Sequence, residues 1–86
     1  MYSKEVIVRC ESGLYNKQAT YFVQKANDFS CSIWLESENR KMNAKSLLGV
    51  MSMSVMTGSV VTLSAEGVDE QDAVTALEAL LQQDIT

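Results

Sequence analysis

The sequence predicts an α+β fold, with elements in the order β-α-β-β-α-β-α and an antiparallel sheet carrying helices on one face. Three observations carry this. Apolar residues alternate at period two in residues 2–10, 31–36 and 60–65. They recur at spacings of three and four in residues 19–29 and 73–81. A polar turn at Ser37-Glu38-Asn39 joins two neighbouring runs into a hairpin, which makes that pair antiparallel.

Each element has its own signature. Val6, Val8 and Cys10 share one side of the first strand, and Glu5, Ile7 and Arg9 the other. Glu11, Ser12 and Gly13 break it. From Lys17 the period changes to helical. Ala19, Phe22, Val23, Ala26 and Phe29 line one face, with Gln18, Gln24, Lys25 and Asp28 on the wet side. The helix ends near Asp28 to Ser30. In the second strand Cys31, Ile33 and Leu35 face the core, while Ser32, Trp34 and Glu36 face away. Residues 40–43 return as a short strand. Ser46 then stands where an N-cap belongs, before a short helix over residues 47–53 that Gly49 weakens. Thr57-Gly58 and Gly67 are turns around the last strand, where Val61, Leu63 and Ala65 share a side. Asp69 opens the final helix and forms a capping-box-like pair with Asp72. Its apolar stripe is Ala73, Val74, Leu77, Leu80 and Leu81.

The chain has 86 residues, 47% of them hydrophobic, and a net charge of −4. That balance excludes a disordered chain and leaves room for one small domain only. The acidic excess argues against sequence-independent binding of nucleic acid. No apolar run reaches the length of a membrane span, and no signal peptide opens the chain, so a cytoplasmic location is expected. With no His, no imidazole is available as base, metal ligand or phosphate carrier. With two Cys, Cys10 and Cys31, one chain cannot build a thiol-rich metal site. No metal and no cofactor are expected, and the two thiols read as small buried side chains.

Several short stretches then line up with one family. They are Gly13-Leu14, Ala19-Thr20 with Phe22-Val23, and the run Asn43-Ala44-Lys45-Ser46-Leu47-Leu48-Gly49. Gly58, Val61-Thr62-Leu63, and Gly67 followed by Asp69-Glu70-Gln71 complete the set. In that order and spacing, over nearly the whole chain, the sequence resembles HPr, the phosphocarrier of the bacterial sugar phosphotransferase system, and its regulatory paralogue Crh. The resemblance implies an HPr-like open-faced β-sandwich, a four-stranded antiparallel sheet with three helices on one side.

The resemblance departs at the phosphocarrier motif. The family reads Gly, an aliphatic residue, His, any residue, Arg, Pro, Ala. Here the chain reads Gly13-Leu14-Tyr15-Asn16-Lys17-Gln18-Ala19. Tyr15 stands where the family's phosphate-accepting His would be, Lys17 for the Arg and Gln18 for the Pro. A tyrosine needs a base to become a nucleophile, and no His can serve. A phosphotyrosine ester is also a poorer phosphoryl donor than a phosphoimidazole. Phosphotransfer from phosphoenolpyruvate is therefore expected to be lost, and the protein is not expected to be an enzyme. Crh also lacks the His.

Ser46 matches the position that, in Gram-positive members of the family, a dedicated ATP-dependent kinase phosphorylates. The phosphorylated protein then works with a catabolite control regulator. A phosphate at a helix start brings about −1.5 to −2 charges to free backbone N–H groups. Ser46 is equally a good N-cap without any kinase. Leu47, Leu48 and Met51 match the family's apolar docking patch, with Val50 turned inward. Trp34, on the open face of the sheet, is either a partner contact or a cover for its neighbours.

Three readings stand at this point. The first is a Crh-like regulatory module that binds proteins under control of Ser46. The second is a decoy or scaffold for HPr partners, with Ser46 acting only as a cap. The third is a small anion-binding domain using the helix start at Asn16, Lys17 and Gln18.

Overall fold

The computed structural model describes residues 1–11 and 13–83. The elements are β1 (Tyr2–Ile7), α1 (Asn16–Asn27), β2 (Ser32–Ser37), β3 (Arg40–Asn43), α2 (Leu47–Ser52), β4 (Val60–Glu66) and α3 (Glu70–Gln82). The order expected from the sequence is the order found. Four strands form one sheet in the order β1-β4-β2-β3, every pair antiparallel.

Alternation sets which side each residue takes. Val6, Ile33, Leu35, Val61, Leu63 and Ala65 point toward the helices and are buried. Phe22 and Ala26 of α1 and Ala73, Val74, Leu77 and Leu81 of α3 close over them, all fully buried. Burying each large side chain here stabilises the fold by roughly 1.5–3 kcal/mol before entropy is counted. The opposite face of the sheet stays open. There Ser3 Oγ donates to Ser64 Oγ at 3.0 Å across β1 and β4.

Three local expectations are corrected. The regular pairing of β1 stops at Ile7, although Val8 and Cys10 are buried as the alternation predicts. The reason is a change of partner. The N–H groups of Arg9 and Cys10 turn to the Leu81 carbonyl of α3, at 2.8 and 3.0 Å. Asp69 caps α3 by position only and makes no capping-box bond with its side chain. Its carboxylate reaches across to Ser30 and Cys31 instead. Gln18, assigned to the wet side, is buried. Its amide donates to the carbonyls of Leu80 and Gln83, the latter at 3.1 Å. A polar residue inside a helix face reads as wet from its type alone. Here the open carbonyls at the end of α3 give it buried partners.

The hairpin turns on two residues. Ser37 pairs with Arg40, and Glu38 and Asn39 both take positive φ, +50° and +67°. That is the geometry whose twist matches the flanking strands.

Candidate functional site

The loop before α1 is shaped by Gly13 and Leu14. Gly13 has φ +68°, and a Cβ there would lie 2.8 Å from Met56 Cα. Leu14 is fully buried and its N–H donates to the Val55 carbonyl at 2.9 Å. With Leu14 pulled in, Tyr15 is turned out and is 54% exposed. It lines an apolar hollow of about 310 Å³ with Ser54, Val55 and Met56. Met56 is itself exposed, and nothing in the sequence marked it beyond its place before a turn. Asn16, at φ +49°, and Lys17 are exposed. Gln18 does not join them: its backbone N–H donates to the Tyr15 carbonyl at 3.1 Å and its side chain is buried. The start of α1 therefore presents Tyr15, Asn16 and Lys17 to solvent, with Gln18 committed to the interior.

Ser46 is the N-cap of α2, as its type predicts. Its backbone is extended, at φ −104° and ψ 114°, and its Oγ accepts the Gly49 N–H at 3.2 Å. Its carbonyl accepts the Val50 N–H at 2.9 Å. Val50 is fully buried, so the opposite side of this short helix faces out. Leu48 is 84% exposed and Leu47 is 38% exposed. Met51 is half-buried and packs against the core. Of the three, Leu48 is the most exposed, and Met51 lies inward against the core. At the far end of α2, the Arg40 guanidinium donates to the Ser52 carbonyl at 2.9 Å and so ties the hairpin to this helix.

Trp34 is not part of that surface. It pairs with Ser64 and Asn43 across the sheet, on the face away from the helices. It is half-buried, and the Lys41 Nζ lies 5.1 Å from its ring centroid. That contact is a cation–π arrangement and covers one side of the ring.

The turn before α3 carries a further polar feature that residue types alone did not show. Asp69 accepts the N–H groups of Ser30 at 3.0 Å and Cys31 at 3.1 Å. The Ser30 N–H and then the Cys31 thiol hold its carboxyl below the ordinary carboxylate range. Desolvation, followed by the hydrogen bond to Asp69, pushes the Cys31 thiol upward. Cys10 and Cys31 are both buried and free of any disulfide.

Comparison with known proteins gives the family. The family profile "PTS HPr component phosphorylation site" matches residues 2–83. The HPr-like protein Crh of Bacillus subtilis is 45% identical over 85 residues, covering 99% of this chain and all of that one. The crystal structure of the phosphocarrier protein HPr from Bacillus anthracis superposes with a TM-score of 0.93 at 41% identity, covering 94% of this chain and 96% of that one. A crystal structure of Bacillus subtilis Crh, described as a dimer with a swapping domain, gives 0.75 at 46% identity, covering 95% and 94%. Sheet order, the glycine-shaped loop before α1, the Ser46 cap and the match along the whole chain converge: this chain belongs to the HPr family, as a Crh-like member with no histidine in its sequence.

Proposed function

We propose that this chain is a cytoplasmic regulatory module that docks on partner proteins through Leu47, Leu48 and Met51, under control of Ser46 phosphorylation. The observation that carries the reading is the pairing of a capping hydroxyl with an exposed apolar side chain on one short helix. Ser46 Oγ holds the Gly49 N–H at 3.2 Å, and Leu48 two residues on is 84% exposed. The likeness to Crh, one solved example of which is described as a catabolite repression protein, supports it. The partners this implies are a Ser kinase and a catabolite control transcription regulator, with no direct contact to nucleic acid. In the modification the γ-phosphoryl group of ATP passes to Ser46 Oγ. The bond to ADP breaks, ADP leaves, and the hydroxyl proton goes to a base on the kinase.

Position 15 carries no phosphoryl group in this reading. Tyr15 has no imidazole to activate it, since the chain contains no His. The anion-binding alternative loses one of its three residues, because both the backbone N–H and the side-chain amide of Gln18 are committed inside the protein. Trp34, facing away from α2, would have to serve a separate contact.

The test is two labelling reactions read by mass spectrometry. One uses ATP with the family's Ser kinase, the other phosphoenolpyruvate with enzyme I. Phosphate on Ser46 from ATP, and none from phosphoenolpyruvate, is the expected pattern. No phosphate from ATP would reduce Ser46 to a cap and favour the decoy reading. Phosphate from phosphoenolpyruvate on any residue would restore a carrier role.

A further inference from the structure

We propose that Asn27 and Lys45 are positioning residues for phosphorylation of Ser46: together they fix the place and direction of its hydroxyl. The inference rests on the reading of Ser46 as a kinase target and adds what makes it one.

The six-residue α2 is too short to hold its own first turn, because helix nucleation is unfavourable at that length. Its start is held from outside. The Lys45 N–H donates to Asn43 Oδ1 at 2.8 Å, and the Ser46 N–H to the Asn43 carbonyl at 3.0 Å. The Ala44 N–H donates to the Ile33 carbonyl of β2 at 2.9 Å, and Ala44 is fully buried.

The remaining anchors belong to the end of α1. Asn27 Nδ2 donates to the Lys45 carbonyl at 3.3 Å. The same amide donates to the Val23 carbonyl one turn back at 2.9 Å, which fixes its direction. Lys45 Nζ donates to the Phe29 carbonyl at 2.7 Å. Phe29 lies just past the end of α1, whose last carbonyls carry partial negative charge, so an ammonium is favoured there. Lys45 thus stands next to Ser46 in sequence but aims its charge at α1. Its side chain and its carbonyl both bind α1's end, and the next residue carries the hydroxyl.

Phosphoryl transfer depends chiefly on alignment of the attacking oxygen with the phosphorus, and a displacement of about 1 Å costs up to about a hundredfold in rate. Freeing residue 45 lets Ser46 Oγ drift on that scale while the core stays intact. The kinase then reads a tertiary arrangement and not a local sequence.

The experiment measures steady-state phosphorylation by the family's Ser kinase for wild type, Asn27→Ala, Lys45→Met and Lys45→Arg, and for a peptide of residues 40–52. Circular dichroism first confirms that each variant is folded. Asn27→Ala and Lys45→Met are expected to lose about ten- to a hundredfold in kcat, with KM held within about twofold. Lys45→Arg, which keeps a cationic donor on a long stem, is expected to recover most of the rate. The peptide is expected to be a poor substrate. Hydrogen exchange at the Gly49 amide, faster in Asn27→Ala than in wild type, reports the loosened cap without any kinase.

Wild-type kcat in Asn27→Ala, or a peptide phosphorylated as fast as the protein, would overturn the inference and leave the Ser46 reading standing. Equal loss in Lys45→Met and Lys45→Arg would assign Lys45 to direct kinase contact and remove it from the proposal. Wild type that takes no phosphate would remove the Ser46 reading and the inference together. If Asn27→Ala does not fold, the Lys45→Met and Lys45→Arg pair decides alone.

Discussion

Replacing Ser46 with Ala separates its structural role from any regulatory one. The substitution removes the oxygen that accepts the Gly49 N–H at 3.2 Å and nothing else of size, so no cavity opens. Ser46 and Gly49 are half-buried, so water replaces the lost partner incompletely. The Val50 N–H keeps its bond to the Ser46 carbonyl at 2.9 Å, and Val50 stays in the core. The loss is therefore one cap, about 1 kcal/mol within a range of roughly 0.5–2. For a domain of this size that lowers Tm by about 4–8 °C per kcal/mol. Asp is as good a cap as Ser, so Ser46→Asp is expected to melt close to wild type. Thermal melts of the three proteins give the comparison, and urea titrations with unchanged slope confirm that only stability moved. Ser46→Ala melting with wild type would refute the reasoning. So would Ser46→Asp falling as far as Ser46→Ala, because the bond to Gly49 would then carry no stability.

Asp69 links stability to acid. Its folded carboxyl titrates below the unfolded value, held down first by the Ser30 N–H and then by Cys31. Its contribution is complete above the unfolded value, about 3.9, and is lost as pH falls through the lower folded value. Melts of Asp69→Asn across pH 2–7 are expected to lack that part of the acid limb, and an unchanged acid limb would count against the clamp. Gln18→Ala leaves the Leu80 and Gln83 carbonyls without their buried donor. A loss of roughly 1–3 kcal/mol is expected by urea titration, with hydrogen exchange rising first at the end of α3. Leu48→Glu changes a side chain that is 84% exposed. Stability is expected to move by less than about 0.5 kcal/mol, while binding of the phosphorylated protein to the catabolite control regulator is lost in a titration calorimeter.

The fold was legible because its signals are local and repeated. Val61, Leu63 and Ala65 alternate, and all three are buried. Phe22 and Ala26, one turn apart, both face the core. The Ser46 cap was legible because a hydroxyl before an apolar run has a specific use at a helix start. What escaped was long-range and polar. Gln18 and the α3 carbonyls it serves lie 62 and 65 residues apart, and no pattern in the chain joins them. Asp69 looked like a local cap because Asp72 follows three residues later. Two backbone N–H groups near residue 30 outcompete that local use. The Tyr15 hollow depends on Met56, which long-range contacts bring alongside: the close approach at Gly13 and the bond from the Leu14 N–H to the Val55 carbonyl.

Net charge was the least informative number at the site. The chain carries eleven carboxylates and seven cations, yet no Asp or Glu occurs in residues 12–27 or 39–65. Those stretches hold five of the cations: Lys17, Lys25, Arg40, Lys41 and Lys45. They also form α1, β3 and α2, the elements around Tyr15, Ser46 and Leu48. Lys25 is partly offset by Asp28 at 3.9 Å, but Lys17 and Arg40 face solvent on carboxylate-free segments. A phosphoryl group on Ser46 would bring about −1.5 to −2 charges to a helix that has none of its own. The same charge added among the carboxylates at the start of α3, where Asp69, Glu70 and Asp72 already stand, would change little by proportion. The acidic average therefore hides the local contrast that would make phosphorylation at Ser46 readable by a partner, and that contrast follows from where the carboxylates are absent.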